Sequence, residues 1–336
     1  MEIKEIIDKK TWNNYLIDFD DYTFLQSWQW GEINSNKEKV FRWVAIDGGV
    51  VGIVQAFTIS AKRGKMLFVP HGPLVKSDKA WEELILVLKN KAVETNCVCL
   101  RISPWELREE KNIKKYIGGG FVESGVIMHA EDTWIVDLTG NEEEVMQRMR
   151  KTTRNLVRRG MRENIEINQS LNIVDAGYLY DLQMEVVKRN NFVPFSKAYL
   201  KKELEILCQD DMAKLFLGKG EGGIMGAALI VFLGKYAFYY QSGSRESKQP
   251  INYLLQWKVI KEARRRGCEK YNMWGVAPEG AKNHPWQGLT MFKMCFGGEM
   301  KQYMKSMDYP INRWKYFKLR LMEKIPKTWR SRLTRR

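Results

Sequence analysis

One succession of predicted secondary-structure elements occurs twice in this chain, and this repeat constrains the fold more than any other sequence feature. Each copy has a β-hairpin, a strand, a helix and a further strand, judged from apolar spacing and glycine-rich turns. The first copy comprises a hairpin over 41–59 with its turn at 47–49, a strand over 65–69, a helix over 80–95 and a strand over 97–102. The second comprises strands over 214–217, 226–232 and 236–241, a helix over 251–266 and a strand over 270–274. This pattern predicts an internal duplication in which each half is an α/β layer with a mixed sheet.

Length and composition fit two folded domains. The chain has 336 residues, and a domain usually has roughly 100–200. The 44% content of apolar residues excludes a disordered protein. The longest nearly uncharged stretch, residues 222–234, is too short to cross a bilayer, the N-terminus is charged, and the five cysteines follow no disulfide pattern. We therefore expect a cytoplasmic protein.

Positive charge is concentrated at the C-terminus. The formal net charge is +15, and residues 311–336 contain ten basic residues and one acidic residue. Trp314, Phe317 and Leu321 recur at spacings of three and four, which predicts a helix with one apolar face and basic flanks. The pattern is typical of a terminal helix docked on the core, of a membrane-surface helix and of a nucleic-acid-binding tail. We expect a docked helix that also contacts an anionic membrane surface, through Trp314, Lys315, Lys318 and Arg320.

A second basic cluster lies near the middle of the chain. Seven arginines and lysines fall within residues 148–162, and the next acidic residue is Glu163. Four of the arginines are four residues apart and form one ridge of a predicted helix: Arg150, Arg154, Arg158 and Arg162. Like charges at this spacing oppose helix formation by about a few tenths of a kcal/mol per pair. A polyanion that neutralises the ridge is therefore favoured over a solvated charged helix.

The sequence contains few of the motifs that carry side-chain catalysis. The three histidines are scattered, and Cys97 with Cys99 forms no paired zinc motif. P-loop, Rossmann and nucleophile-elbow motifs are absent from it. The turn at residues 245–250 has no glycine, which disfavours the backbone contacts that an acyl-CoA pyrophosphate needs. We therefore expect no metal and no cofactor.

One lysine has surroundings suited to a catalytic cation. Lys293 follows Phe292 in an apolar segment, after an aromatic-rich stretch that includes Trp274 and Trp286. A partly desolvated ammonium group in such surroundings can stabilise a developing oxyanion. The alternative is a structural lysine on a helix beside the core, with its amine extended to solvent.

Five short segments are informative in combination: 24–31 (FLQSWQWG), 150–154 (RKTTR), 250–257 (PINYLLQW), 272–276 (NMWGV) and 292–299 (FKMCFGGE). Together they resemble the FemABX family, whose members are tRNA-dependent aminoacyltransferases that build the interpeptide bridge of peptidoglycan. The resemblance extends from about Phe24 to about Tyr309, and the last segment is its most specific part. It implies two tandem acetyltransferase-like (GNAT-like) domains with mixed sheets. The first is 1–140 with 305–336, which includes the basic C-terminal helix, and the second is 141–304.

The resemblance also implies an activity. Members of the family transfer an amino acid from aminoacyl-tRNA to a stem-peptide amine of a peptidoglycan precursor. Glycine, alanine and serine are the expected donors, and lysine or diaminopimelate the expected acceptor. Two alternatives share single features with this expectation: a GNAT-type acyl-CoA-dependent N-acyltransferase shares the fold, and a non-enzymatic RNA-binding protein shares the charge.

The resemblance and the charge pattern together assign residue roles. Lys293 is the functional lysine, with Phe292 as its aromatic neighbour. The residues assigned to substrate binding are Trp30, Tyr199, Tyr239, Tyr240 and Gln241. The residues assigned to tRNA binding are Arg150, Lys151, Arg154, Arg158 and Arg162.

Two positions depart from the family pattern. Glu32 and Phe195 stand where members acting on the soluble, nucleotide-linked (UDP-linked) precursor place a phosphate-binding lysine and arginine. Loss of two cations weakens a pyrophosphate site, so we expect the lipid-linked precursor, lipid II, as substrate. The basic C-terminal helix agrees with a substrate held at the membrane surface.

Overall fold

The structure of the chain is a computed structural model that describes residues 1–35, 38–61, 64–190 and 194–324. The strands are β1 (Glu2–Glu5), β2 (Val40–Ile46), β3 (Val50–Ala61), β4 (Gly64–Pro70), β5 (Leu74–Val75), β6 (Cys99–Ser103), β7 (Val122–Glu123), β8 (Asp132–Asp137), β9 (Glu166–Ser170), β10 (Ala213–Gly220), β11 (Gly223–Leu233), β12 (Tyr236–Ser244), β13 (Lys270–Gly275), β14 (Glu299–Gln302) and β15 (Met307–Pro310). The helices are α1 (Lys9–Ile17), α2 (Trp28–Ser35), α3 (Asp78–Glu94), α4 (Glu110–Gly118), α5 (Glu142–Gln147), α6 (Lys151–Arg162), α7 (Ala176–Asn190), α8 (Lys197–Gln209), α9 (Ile251–Arg265), α10 (Gln287–Met294) and α11 (Arg313–Lys324).

The chain divides into two compact units. Residues 1–131 and the segment that starts at Gln302 form the first, and Asp132–Lys301 forms the second. The division differs from the boundaries expected at residues 140 and 304. Strand β8, expected in the first domain, pairs with β13 and belongs to the second unit. Tyr303, expected in the second domain, stacks on Trp105 of the first unit with ring centroids 3.5 Å apart.

The first unit has a mixed sheet in the order β1-β2-β3-β4-β6-β15-β7, with β5 on β3. Strands β1 to β4 are antiparallel, and β6 joins β4 in parallel after the crossover through α3. The predicted hairpin turn is confirmed: Gly48 has a φ of +71°, and the Asp47 N–H donates to Gly49 O at 2.9 Å. The apolar face of α3, with Trp81, Leu84 and Leu88, is buried against the sheet.

The second unit has a mixed sheet in the order β14-β8-β13-β12-β11-β10-β9. Strands β10 to β12 are antiparallel, and β13 joins β12 in parallel after the crossover through α9. Leu254, Trp257 and Ile260 on α9 are buried in the core of this unit. The two sheets thus share one succession of pairings, antiparallel strands followed by a parallel crossover, and the predicted duplication of an α/β layer is confirmed.

The two copies exchange their last strands. After β6 the chain forms α4, β7 and β8, and after β13 it forms α10, β14 and β15. Strand β8 pairs antiparallel with β13 in the second sheet, whereas β15 pairs antiparallel with β6 in the first. Each sheet therefore contains one strand from the other copy, and the first unit is discontinuous in sequence.

Candidate active site of the second unit

The opening that holds the candidate site begins where two parallel strands stop pairing. Strands β12 and β13 pair only from Tyr236 with Lys270 to Phe238 with Asn272. Beyond this point, residues 239–241 of β12 and residues 274–275 of β13 lie on the two sides of the opening. Trp274 adopts a φ of +66°, which is rare for a residue with a large side chain, and its N–H donates to Asn272 Oδ1 at 2.8 Å. The local backbone is thus shaped by Asn272 rather than by the strand ladder.

Lys293 of α10 reaches into this opening. Its side chain is buried, with the residue 3% exposed, and its Nζ donates to Gly275 O at 2.6 Å. The same Nζ lies 5.8 Å from the centroid of the Tyr239 ring on the other side. Burial lowers the pKa of the Lys293 amine to about 7, so both its charged and neutral forms are populated near neutrality. A buried amine whose main polar contact is one carbonyl is available to a further oxygen atom that carries negative charge.

The segment around Lys293 is fixed by aromatic packing and by two glycines. Phe292 packs against Tyr253 and Phe296, with ring centroids 5.4 and 5.2 Å away. Gly297 and Gly298 follow with φ values of +81° and +90°, and a Cβ atom on Gly298 would lie 2.1 Å from the Ile135 carbonyl oxygen. The glycine pair of the FKMCFGGE segment is therefore required by a close approach of two backbones.

A second cluster on the same opening joins two predicted substrate-binding tyrosines through a buried carboxyl group. Tyr199 and Glu203 are one turn apart on α8, and the Tyr240 hydroxyl donates to Glu203 Oε1 at 2.5 Å. The Tyr240 ring lies edge-on to Trp274, with centroids 6.0 Å apart. Burial raises the pKa of Glu203 to about 8. Gln241 is tied separately, since its Oε1 accepts from Gln183 Nε2 at 3.0 Å.

The sequence patterns did not point to Glu203. The available signal was its position one helical turn after Tyr199, which places both residues on one face of α8. Its partner Tyr240 is 37 residues away in sequence, on a strand, and no local pattern predicts that contact.

The basic ridge begins beside the Lys293 segment. Arg150 precedes α6, and its backbone N–H donates to Cys295 O at 3.0 Å, two residues after Lys293. Arg150, Lys151 and Arg162 are exposed, whereas Arg154 turns back and donates to Gln147 O and Met149 O. Arg158 is exposed too, and its Nη2 lies 3.9 Å from a carboxylate oxygen of Glu143. The predicted ridge is present, but one of its four arginines is directed to backbone carbonyls.

Helix α11 docks on the first unit through a face opposite to its apolar stripe. Tyr316, Leu319 and Glu323 are buried, and the Glu323 carboxylate forms an ion pair with the buried Arg101, at 2.9 Å between Nη1 and Oε1. Arg101 also pairs with the buried Asp308, at 2.7 Å.

The apolar stripe itself faces solvent, since Trp314, Phe317 and Leu321 are 79%, 57% and 49% exposed. Lys315 and Lys318 are exposed beside it. Arg320 is partly buried, and its guanidinium packs close to Gly125. Residues 325–336, which carry five of the ten basic residues of this region, lie outside the described part of the chain.

Trp30, Glu32 and Phe195 complete the set of predicted positions. Trp30 lies in the first unit, where it is buried and packs edge-on against Phe24 at 5.6 Å between centroids. Glu32 accepts from Trp28 Nε1 at 3.0 Å and forms an ion pair with Lys9 at 3.5 Å. Phe195 is half exposed and stacks on Tyr199, with centroids 4.9 Å apart.

Neither a metal cluster nor a membrane-crossing helix occurs in the described residues. They contain no group of three or more histidine, cysteine or acidic side chains placed to hold a metal ion. Within the same ranges, no helix combines the length and the apolar content that a membrane crossing requires.

Comparison with known proteins agrees with the resemblance seen in the sequence. A family model described as the FemAB family matches residues 211–324, which include β12, β13 and Lys293. The lipid II:glycine glycyltransferases of Staphylococcus haemolyticus and Staphylococcus aureus (strain USA300) are 27% identical to the chain over 130 and 172 residues. Residues 211–324 of the chain are thus similar to the FemAB family.

Those alignments cover 38% and 47% of this chain, and 30% and 39% of the two relatives, so the match spans less than half the length of each relative. Similarity to solved structures extends over nearly the whole chain. FemX matches with a TM-score of 0.86 at 17% identity, covering 96% of this chain and 100% of that one. A tandem GNAT protein from the clavulanic acid biosynthesis pathway matches with a TM-score of 0.53 at 10% identity, covering 93% and 99%. The predicted fold, two tandem GNAT-like units with mixed sheets, is confirmed.

Proposed function

We propose that this protein is an aminoacyltransferase that moves glycine, alanine or serine from aminoacyl-tRNA to the stem-peptide side-chain amine of a peptidoglycan precursor, lipid II. The observation that carries the proposal is Lys293. Its desolvated amine lies between Gly275 and Tyr239, at the point where β12 and β13 stop pairing. Two relatives bear the name lipid II:glycine glycyltransferase, which supports lipid II as the substrate class.

The chemistry needs little more than positioning and charge stabilisation. An aminoacyl ester is already activated, so a neutral amine can attack its carbonyl carbon without a covalent enzyme intermediate. Negative charge then develops on the carbonyl oxygen. In its ammonium form Lys293 would donate to this oxygen, in surroundings where a charged hydrogen bond is strong because water is excluded. Its bond to Gly275 O holds the amine in place before the substrates arrive.

The basic ridge supports a tRNA donor. Arg150 is hydrogen-bonded through its backbone to Cys295, so the exposed charges of Arg150 and Lys151 begin next to the Lys293 segment. A ridge that runs away from the reaction centre suits a polyanion whose reactive end is bound at that centre. Arg158 and Arg162 continue the ridge along α6.

The exposed stripe of α11 supports a peripheral membrane contact. Trp314, Phe317 and Leu321 face solvent with Lys315 and Lys318 beside them, which is the composition of a helix that lies in the surface of an anionic bilayer. Such a contact would bring the protein to a lipid-linked precursor.

Transfer of a radiolabelled amino acid tests the proposal. A mixture of charged tRNAs is supplied to the wild-type protein with lipid II and, in parallel, with the nucleotide-linked precursor. We expect label in lipid II, and the labelled amino acid identifies the donor. Label in the nucleotide-linked precursor alone would contradict the substrate, and folded protein that labels neither precursor would contradict the activity.

A further inference from the structure

The proposed transfer releases a proton that needs an acceptor. When the amine attacks the ester, its nitrogen becomes positively charged and must lose one proton before the ribose oxygen can leave. Lys293 in the ammonium form is unsuited to this task because it already carries its proton. Other side chains near the opening between β12 and β13 are therefore the candidates among the groups of the protein.

Glu203 has the geometry of such an acceptor. Its carboxyl group is fully buried, 0% exposed, and its Oε1 receives the Tyr240 hydroxyl at 2.5 Å. Its Oε2 is also buried and has no hydrogen-bond partner among the described residues. Tyr240 is only partly buried, and its ring borders Trp274, the residue before Gly275. A phenol thus connects the buried carboxyl group with the opening that contains Lys293.

The electrostatic surroundings leave Glu203 able to gain and lose a proton. The titratable groups that face it are two phenols, Tyr199 from its own helix and Tyr240 from β12. Burial raises the pKa of both phenols, so neither is charged near neutrality, and neither holds Glu203 as a permanent carboxylate. A carboxyl group that serves only as an ion-pair partner would instead face a lysine or an arginine, as Asp308 faces Arg101.

We propose that Glu203 is the proton acceptor of the transfer and acts through the hydroxyl group of Tyr240. The inference rests on the proposed function. As the new N–C bond forms, the amine proton moves to the Tyr240 oxygen while the Tyr240 hydroxyl proton moves to the Glu203 carboxylate. When the C–O bond to the ribose breaks, the same proton returns through Tyr240 to the leaving oxygen. Glu203 does not touch substrate, so it is a positioning residue for Tyr240 as well as the store of the proton.

Replacement of Glu203 by glutamine separates this role from a structural one. Glutamine keeps the size of the side chain and an oxygen that accepts from Tyr240, but it cannot take a proton. We expect Glu203→Gln to lower kcat by about 10²-fold, a typical size for the loss of a general base, with little change in KM. The rise of kcat with pH on the acid side should disappear with it. The control is Glu205→Gln, an exposed position on the same helix, which should match wild type.

The pH profile of the Glu203 variant decides between the two roles. If Glu203→Gln keeps the acid-side rise of kcat, or if only its KM increases, Glu203 is not the proton acceptor. If Glu203→Gln does not fold, Tyr240→Phe carries the test, since it keeps the carboxyl group and interrupts the connection; it should lose the same acid-side rise, and a wild-type profile would overturn the inference. Wild-type protein that transfers nothing contradicts the proposed function instead, so the two failures are distinguishable.

Discussion

The amine of Lys293 is the single group on which the proposed chemistry depends most. Replacing it with methionine keeps the apolar stem and removes the charged donor. We expect Lys293→Met to lower kcat for aminoacyl transfer by roughly 10²–10³-fold, the effect of losing one oxyanion donor. Lys258→Met, at an exposed position of the same unit, serves as the control. Activity of Lys293→Met within a few-fold of wild type would remove the lysine from the mechanism.

Burial of Lys293 also has a thermodynamic consequence. Its folded-state pKa is about 7, below the ordinary value of 10.5, so between these values the unfolded chain binds a proton that the folded chain does not. Stability must therefore rise with pH across this window. We expect the melting temperature of wild type, compared with that of Lys293→Met, to increase from pH 7 toward pH 10. At pH 7 the variant should be at least as stable as wild type. A constant difference across the window would show that Lys293 is not desolvated.

The sequence indicates Lys293 as a candidate residue, but it does not indicate the buried glutamate of the neighbouring cluster. Lys293 could be identified because it is a basic residue within an apolar segment that resembles a family motif. Glu203 was not visible, since the feature that distinguishes it is burial against Tyr240, and burial of one glutamate on an ordinary amphipathic helix depends on long-range packing.

The exposed apolar face of helix α11 gives a test of the proposed membrane contact. Trp314→Ser with Phe317→Ser removes two exposed aromatic side chains and should leave the melting temperature unchanged. Binding to vesicles that contain anionic phospholipid should fall by about 10-fold or more, because each aromatic side chain contributes about 1.5–3 kcal/mol when fully buried. Leu319→Ser, on the docked face, should instead lower the melting temperature. Unchanged vesicle binding by the double variant would leave α11 with a structural role only.

The ridge of α6 makes a separate electrostatic prediction. Arg150→Ala with Lys151→Ala removes two exposed charges next to the Lys293 segment. We expect weaker tRNA binding, and a plot of log affinity against log salt whose slope is smaller by about one unit for each phosphate that is no longer neutralised. Lys248→Ala with Lys258→Ala changes the net charge equally at exposed positions off the ridge. An equal decrease of slope in both double variants would mean that the ridge attracts tRNA only through the net charge of the protein.

The elements themselves were largely predictable, whereas their docked faces were not. Helix α11 and its apolar spacing followed from the periodicity of Trp314, Phe317 and Leu321. A periodicity argument assigns such a stripe to the core, yet the stripe is exposed here. The docked face carries Tyr316, Leu319 and Glu323 instead, and Glu323 pairs with Arg101, which is 222 positions away in sequence and so is invisible to a local periodicity.

For the whole molecule, the acyl-CoA alternative remains to be tested directly. Any ligand that binds the folded state raises the melting temperature. We expect no increase when acetyl-CoA is added, because the turn before α9 offers no glycine and Lys293 occupies the opening between β12 and β13. Lipid II or charged tRNA should raise the melting temperature in the same buffer. A dose-dependent increase with acetyl-CoA would favour the alternative.

The succession of elements in each copy was also predictable from sequence, because the repeat of hairpin, strand, helix and strand is local. The partners of the last strands were not. Strand β8 follows the first copy directly in sequence, but it pairs with β13 in the second sheet. The boundary between the two units therefore lies between residues 131 and 132 and not at residue 140.

The exchange of last strands ties folding to the direction of synthesis. Strand β6 and Arg101 are made more than 200 residues before strand β15, which pairs with β6, and before both carboxylates that neutralise Arg101. Residues 132–301 are continuous and can complete their own sheet first. During synthesis the first half of the chain therefore has an unpaired edge at β6. Such an edge can pair with strands of other chains, so we expect a chaperone to act in this interval.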